Sequence, residues 1–168
     1  MSKIFTTLIL LLISTNFVHS NDSSPPFQFS LTPDVAVFHR AAKIKGLILN
    51  VWGENPQRAL TLGIVNGSLD KSSGLSLGFL VNYSDSYNGL QVAPVNFVAG
   101  DFNGGQLGFA NYAERLDKGV QIGFVNFTET MNKGLQIGLM NIIRNNDKYF
   151  DDFPSNIAPA MTIINWRF

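Results

Sequence analysis

Apolar residues alternate with glycine or polar residues through most of the chain, and the alternation recurs at a fixed interval. In GVQIGFVN, residues 119–126, Val120, Ile122 and Phe124 share one face while Gln121 and Gly123 share the other. Fifteen positions later GLQIGLMN, residues 134–141, repeats the pattern. A period of two marks a strand, whose successive side chains point to opposite faces. Two glycines in eight residues argue against a helix. Further copies begin at Gly46, Ala59, Gly74, Gly89 and Gly104; after a first interval of thirteen, every spacing is fifteen. Turn-forming stretches such as SDSYN, AGDFN and TETMNK separate the copies. The pattern predicts an all-β chain in which seven strand-turn repeats occupy residues 46–143.

Two architectures accept such a unit. In an antiparallel β-barrel of about 8–10 strands, fifteen residues divide into about eleven of strand and about four of loop, and a tilted membrane strand needs roughly nine to eleven. The Leu, Ile, Val and Phe columns would then face lipid, and Gly alternating with Gln or aromatic residues would fill the lumen, with no open pore expected. In a β-solenoid with 15-residue coils, each copy stacks in parallel on the last. The same apolar columns would form its dry core, and Asn66, Asn82, Asn96, Asn111, Asn126 and Asn141 would line up as a side-chain ladder. Pro94 discriminates between the two. It falls where Phe109 and Phe124 stand in later copies and lacks an N–H for the ladder. In parallel stacking it lies beside an extra residue in Phe79-Leu80-Val81, read as a bulge; in a hairpin it lies near Leu77. The strand count is awkward for a barrel. The N-terminal strand, seven copies and the last strand make nine, unless Phe27 to Phe38 holds two short strands around Pro33.

The ends carry separate signals. Residues 1–20 read as a signal peptide: Lys3 supplies a positive start, Leu8 to Ile13 an apolar run, and Val18-His19-Ser20 a cleavage site. A leader and first strand occupy residues 21–45, with Phe27, Phe29 and Leu31 alternating with Gln28, Ser30 and Thr32. A polar loop covers residues 144–156. The C-terminal strand, residues 157–168, places Phe168, Trp166, Ile164, Thr162 and Ala160 on one face. A final amphipathic strand ending in Phe resembles the terminal strand of Gram-negative outer-membrane barrels, through which the outer-membrane assembly machinery would engage the chain.

Composition narrows the partners. Twelve basic residues balance twelve acidic ones, so the chain has no long-range field to gather nucleic acid, and no nucleic-acid partner is expected. No cysteine is present, which removes disulfides, thiolate metal sites and an acylated cysteine. GLSLG, residues 74–78, matches the G-x-S-x-G pattern of serine hydrolases, but Ser76 stands in the column held elsewhere by Thr61, Gln91, Gln106, Gln121 and Gln136, so the repeat explains it. His39, followed by Arg40, reads as a solvated strand-end residue. Asp147, Asp151 and Asp152 with Asn145 and Asn146 offer oxygen ligands, but their spacing matches no calcium loop. No metal, no cofactor and no catalytic residue is expected, and the chain is read as not an enzyme. The sequons at Asn21, Asn66, Asn82 and Asn126 are read as incidental to composition.

The start PFQFSLTP (26–33), the GLQIGLxN repeats and the end FP…INWRF together resemble the surface repeat-containing proteins of spirochaetes, fusobacteria and other Gram-negative bacteria. The resemblance covers nearly the whole chain after residue 20. It implies an envelope location, with outer-membrane lipid as partner, and carries over no catalytic residue. The expected function is therefore that of a non-enzymatic outer-membrane or surface β-barrel with a structural or interaction role. The alternative is an exported β-solenoid acting as a surface binding or adhesion module; in either case the ligand is unknown.

Overall fold

The computed structural model describes residues 24–168; the expected signal peptide lies outside the described residues. Eight strands follow in chain order: β1 (Phe27–Thr32), β2 (Val35–Ala36), β3 (Ile44–Gly53), β4 (Gln57–Val92), β5 (Val95–Leu107), β6 (Ala110–Ile122), β7 (Val125–Ile143) and β8 (Ala160–Arg167). They make one sheet in the order β2-β1-β3-β4-β5-β6-β7-β8. Pairing is parallel from β1 through β3 to β7, and antiparallel only at the two ends, β1 with β2 and β7 with β8. The sheet winds into a β-solenoid of about six coils.

The antiparallel barrel is thus overturned. β8 pairs with β7 and β1 pairs with β2 and β3, so the two ends of the sheet do not meet. The error lay in dividing the fifteen-residue unit into one strand and one loop. SDSYN, AGDFN and TETMNK lie inside β4, β5 and β7, and the chain instead turns at glycine-containing corners such as Gly108–Phe109 and Gly123–Phe124. Register sets like on like: Asn111 pairs with Asn126, Gln121 with Gln136, and Gly119 with Gly134. Val81 pairs with Val95, which sets Pro94 one step earlier, beside Leu80 and away from Leu77. Pro94 occupies a corner, where its carbonyl accepts from Phe109 N at 2.8 Å and Ala110 N at 2.9 Å. Phe27 to Phe38 does hold two short strands, turned at Pro33–Asp34.

The dry apolar core expected of the solenoid is overturned as well. Gln121 is 0 % exposed whereas its neighbour Ile122 is 42 % exposed. The alternation is as read, but its faces are exchanged. A stacked glutamine or asparagine meets an identical amide one coil away, and an amide is both donor and acceptor, so the column satisfies itself. Gln136, Gln121, Gln106 and Gln91 hydrogen-bond in series at 2.7, 2.8 and 3.1 Å. The asparagine ladder runs alongside, from Asn50 to Asn141.

Clustered apolar burial lies in two zones. Tyr87, Val98, Phe102, Ala113, Leu116, Met131 and Ile143 fill the interior of the later coils; Ile44, Ile48 and Ala59 pack with Phe38 and Ala42 at the N-terminal end. Close stacking also requires glycine at the coil start. Gly104 has φ +133°, and a Cβ there would run into the carbonyl oxygen of Gly89.

Polar caps close both ends. Gln28 donates to Phe38 O at 2.7 Å and to Asn55 Oδ1 at 2.8 Å, and accepts from Phe38 N. At the other end, Asn165 of β8 donates to Ala158 O at 2.9 Å and to Asn141 O at 3.3 Å, covering the last rung. Solenoids need such terminal caps, because the end coils would otherwise present unpaired edges. β8 alternates as expected about buried Asn165, except at Ile163. That residue takes φ +70°, unusual for a β-branched side chain, and points outward.

Candidate functional site: an apolar ridge opposite a charged corner

Exchanging the faces leaves most large apolar side chains on the outside. They fall in columns. Leu77, Leu107, Ile122 and Ile137 line one flank; Phe79, Phe109, Phe124 and Leu139 stand at the corner; Val95, Val125 and Met140 continue the other side. Phe109 and Phe124 stack with centroids 4.5 Å apart. Between flank and corner runs a groove of about 440 Å³, floored by Gly108, Gly123 and Gly138 and walled by Leu107, Ile122, Ile137, Phe124 and Leu139. Ile163 of β8 closes its end. Glycine forms the floor because a Cβ at Gly123 would strike the carbonyl oxygen of Gly108.

The backbone of this ridge is paired along the coil axis. Phe109 N donates to Pro94 O, Val125 N to Phe109 O at 3.0 Å and Met140 N to Phe124 O at 2.9 Å. The asparagine ladder serves the same corner from inside. Asn96, Asn111 and Asn126 each give a second Nδ2 hydrogen bond to the carbonyl of Leu107, Ile122 and Ile137, at 3.0, 2.9 and 2.9 Å. The buried polar columns therefore leave a surface that is apolar in side chains and whose corner amides Phe109 N, Val125 N and Met140 N are paired from coil to coil.

Next to the ridge comes an aromatic column. Phe97 and Tyr112 stack at 4.8 Å, and Tyr112 and Phe127 at 5.6 Å. Beyond it the charges begin. Arg115 Nε donates to Asp101 Oδ1 at 2.6 Å, and Arg144 Nη1 to Glu129 Oε2 at 2.7 Å. The Arg115 guanidinium holds the Asp101 carboxyl below its usual range. Desolvation, with Glu129 and Glu114 nearby, raises the Tyr112 phenol. The later coils thus grade from aliphatic through aromatic to charged.

A separate polar network sits at the N-terminal end of the aromatic column. Trp52 Nε1 donates to Tyr83 Oη at 2.9 Å, and Tyr83 donates to Glu54 Oε1 at 2.5 Å. Burial first, then the hydrogen bond to Glu54, pushes the Tyr83 phenol up to about 12.

The residues weighed for chemistry lie apart from one another. Ser76 is buried in the glutamine column and donates to Asn82 Oδ1 at 2.9 Å, with no strand-to-helix turn around it. His39 lies in the turn before β3, where Nδ1 accepts from Ala41 N at 3.3 Å. Asn145 and Asn146 are committed to structure: Asn145 Oδ1 accepts from Met131 N at 2.9 Å and Asn146 donates to Ala158 O at 3.0 Å. Among the described residues, no three acidic or histidine side chains are grouped to hold a metal ion. Asn66, Asn82 and Asn126 are buried in the ladder, so a glycan would not fit on them. In comparisons with known proteins, no family model matches the chain, and neither does any curated protein or solved structure.

Proposed function

We propose that the chain is an exported, non-enzymatic β-solenoid that binds the outer-membrane lipid surface through its apolar ridge and serves there as a structural or interaction module. The observation that carries the reading is the sorting of side chains around each coil. Phe79, Phe109, Phe124 and Leu139 crown one corner, and charged residues such as Arg115, Glu129 and Lys133 lie beyond the aromatic column. An element with one apolar face and one charged face settles in the bilayer interface, where Tyr and Trp rings favour the headgroup level. The coil-to-coil pairing of Phe109 N, Val125 N and Met140 N supports lipid contact, since an unpaired N–H or C=O costs several kcal/mol in hydrocarbon. A contiguous apolar surface of this kind is rarely left to water. The envelope location rests on the N-terminal reading and on the resemblance to surface repeat-containing proteins.

Flotation of the processed chain with phosphatidylcholine vesicles tests it. The wild type is expected to float with the vesicles, and Phe109→Asp/Phe124→Asp to stay behind with unchanged circular dichroism. A wild type that remains in the aqueous fraction as a dimer, with the ridge buried between copies, would contradict the lipid reading.

A further inference from the structure

The corner opposite the ridge holds a cleft of about 690 Å³, spanning from Lys43, just before β3, through β4 and β5 to Asp117 of β6. Its origin is a gap in an interior column. Tyr87, Phe102, Leu116 and Met131 stack at successive register positions and fill the later coils. Fifteen residues before Tyr87 the column holds Ser72, whose Oγ accepts from Gln57 N at 2.9 Å. A serine leaves most of a tyrosine's volume empty, and the cleft opens there.

We propose that this cleft binds a singly substituted anionic sugar, a saccharide carrying one phosphate or one carboxylate group. Lys43, Arg58 and Lys71 line it, and among the described residues none of the three has a carboxylate within salt-bridge distance. Three like charges around one concavity repel one another, and an anion placed among them reverses that cost. Of the two acids in the lining, Asp101 pairs with Arg115 at 2.6 Å and also feels the Lys71 charge, while Asp117 accepts from Asn132 at 2.9 Å; the basic side chains of the lining outnumber the acidic ones three to two. Their carboxylates oppose a second anionic group while retaining lone pairs for sugar hydroxyls. Tyr87, 3 % exposed, forms an inner wall of the cleft, with its hydroxyl beside the Gln57 side chain. The volume exceeds that of a bare ion, and hydroxyl and amide groups of Ser73, Ser86 and Asn88 extend the polar lining. The site does not depend on the lipid reading, because it uses none of the ridge residues.

Calorimetric titration of the processed chain with glucose 6-phosphate, glucuronate, glucose and inorganic phosphate tests the proposal. Both anionic sugars are expected to bind, in competition with each other, while glucose and phosphate alone bind at least about tenfold more weakly. Arg58→Gln and Lys71→Gln should each weaken glucose 6-phosphate about tenfold, and Lys133→Gln, outside the cleft, should leave it unchanged. Four results would overturn the assignment: no heat with either anionic sugar, glucose binding as tightly as they do, phosphate alone matching glucose 6-phosphate, or Lys133→Gln weakening binding as much as Lys71→Gln.

Discussion

Asn126 donates to Asn141 Oδ1 at 2.8 Å, one coil further along, and the same bond runs back through Asn111, Asn96 and Asn82 to Asn66. Asn96, Asn111 and Asn126 each also hold a corner carbonyl. Asn111→Leu keeps the branched shape but leaves Asn126 Oδ1 without its partner, and takes one bond each from Asn96 Nδ2, which keeps Leu107 O and Ala93 O, and Ile122 O, which keeps Gly108 N. The loss should be about 2–3 kcal/mol in urea unfolding, since an unpaired buried polar group costs about 1–3 kcal/mol. Asn50→Ala should cost far less, about 1 kcal/mol, because its bond to Asn66 is 3.4 Å long and its own Oδ1 already lacks a partner.

Gly104 and Gly105 are neighbours with opposite tolerance. At Gly104, φ is +133° and a Cβ meets backbone; at Gly105 the only near atom is the Leu90 Cδ1, at 2.9 Å. Gly104→Ala should lower stability by about 3 kcal/mol or more, or prevent folding, while Gly105→Ala should stay within about 1 kcal/mol of wild type. Chemical denaturation of the two variants side by side decides it.

Tyr83 gives the fold an alkaline limit. Its phenol rises from 10.0 to about 12 in the folded chain, so the folded state holds the proton more tightly than the unfolded one. The stability it contributes is complete below pH 10.0 and drains away as pH climbs toward about 12. Phenolate absorbance should therefore lag behind that of free tyrosine. Tyr83→Phe should flatten the loss of thermal midpoint in this window; an unchanged slope would show that Tyr83 titrates normally.

Ile163 combines strain with exposure. With φ +70° and 73 % of its surface open, it gains little from burial and pays for its backbone. Ile163→Gly should stabilise the chain by about 1 kcal/mol while weakening vesicle flotation, since the groove loses its end wall. A variant less stable than wild type would mean that the side chain packs more than its exposure indicates.

How much of this was legible in the sequence varies with the residue. The fifteen-residue period, the strand alternation and the asparagine ladder under parallel stacking could be read directly. The side of the sheet that faces inward could not. Val120 and Ile122 look like core, or like a lipid-facing surface, when hydrophobicity alone decides. The clue lay in Gln91, Gln106, Gln121 and Gln136: an unvarying amide at one coil position is what a self-pairing column needs, whereas a solvated face tolerates any polar residue. Ser76 and His39 drew attention because motifs are local, while Lys43, Arg58 and Lys71 did not, because only the coil period of thirteen to fifteen residues brings them together. The gap at Ser72 becomes visible only once it is stacked against Tyr87 and Phe102.

Because the chain contains no cysteine, single cysteines at Gln121 and Ile122 probe the inverted packing directly. Reaction with a water-soluble maleimide under native conditions should be fast for Ile122→Cys and slow for Gln121→Cys. Adding phosphatidylcholine vesicles should then protect Ile122→Cys but not an exposed control at Lys133. Rapid labelling at position 121 with protection at 122 in plain buffer would contradict a polar interior beneath an apolar surface.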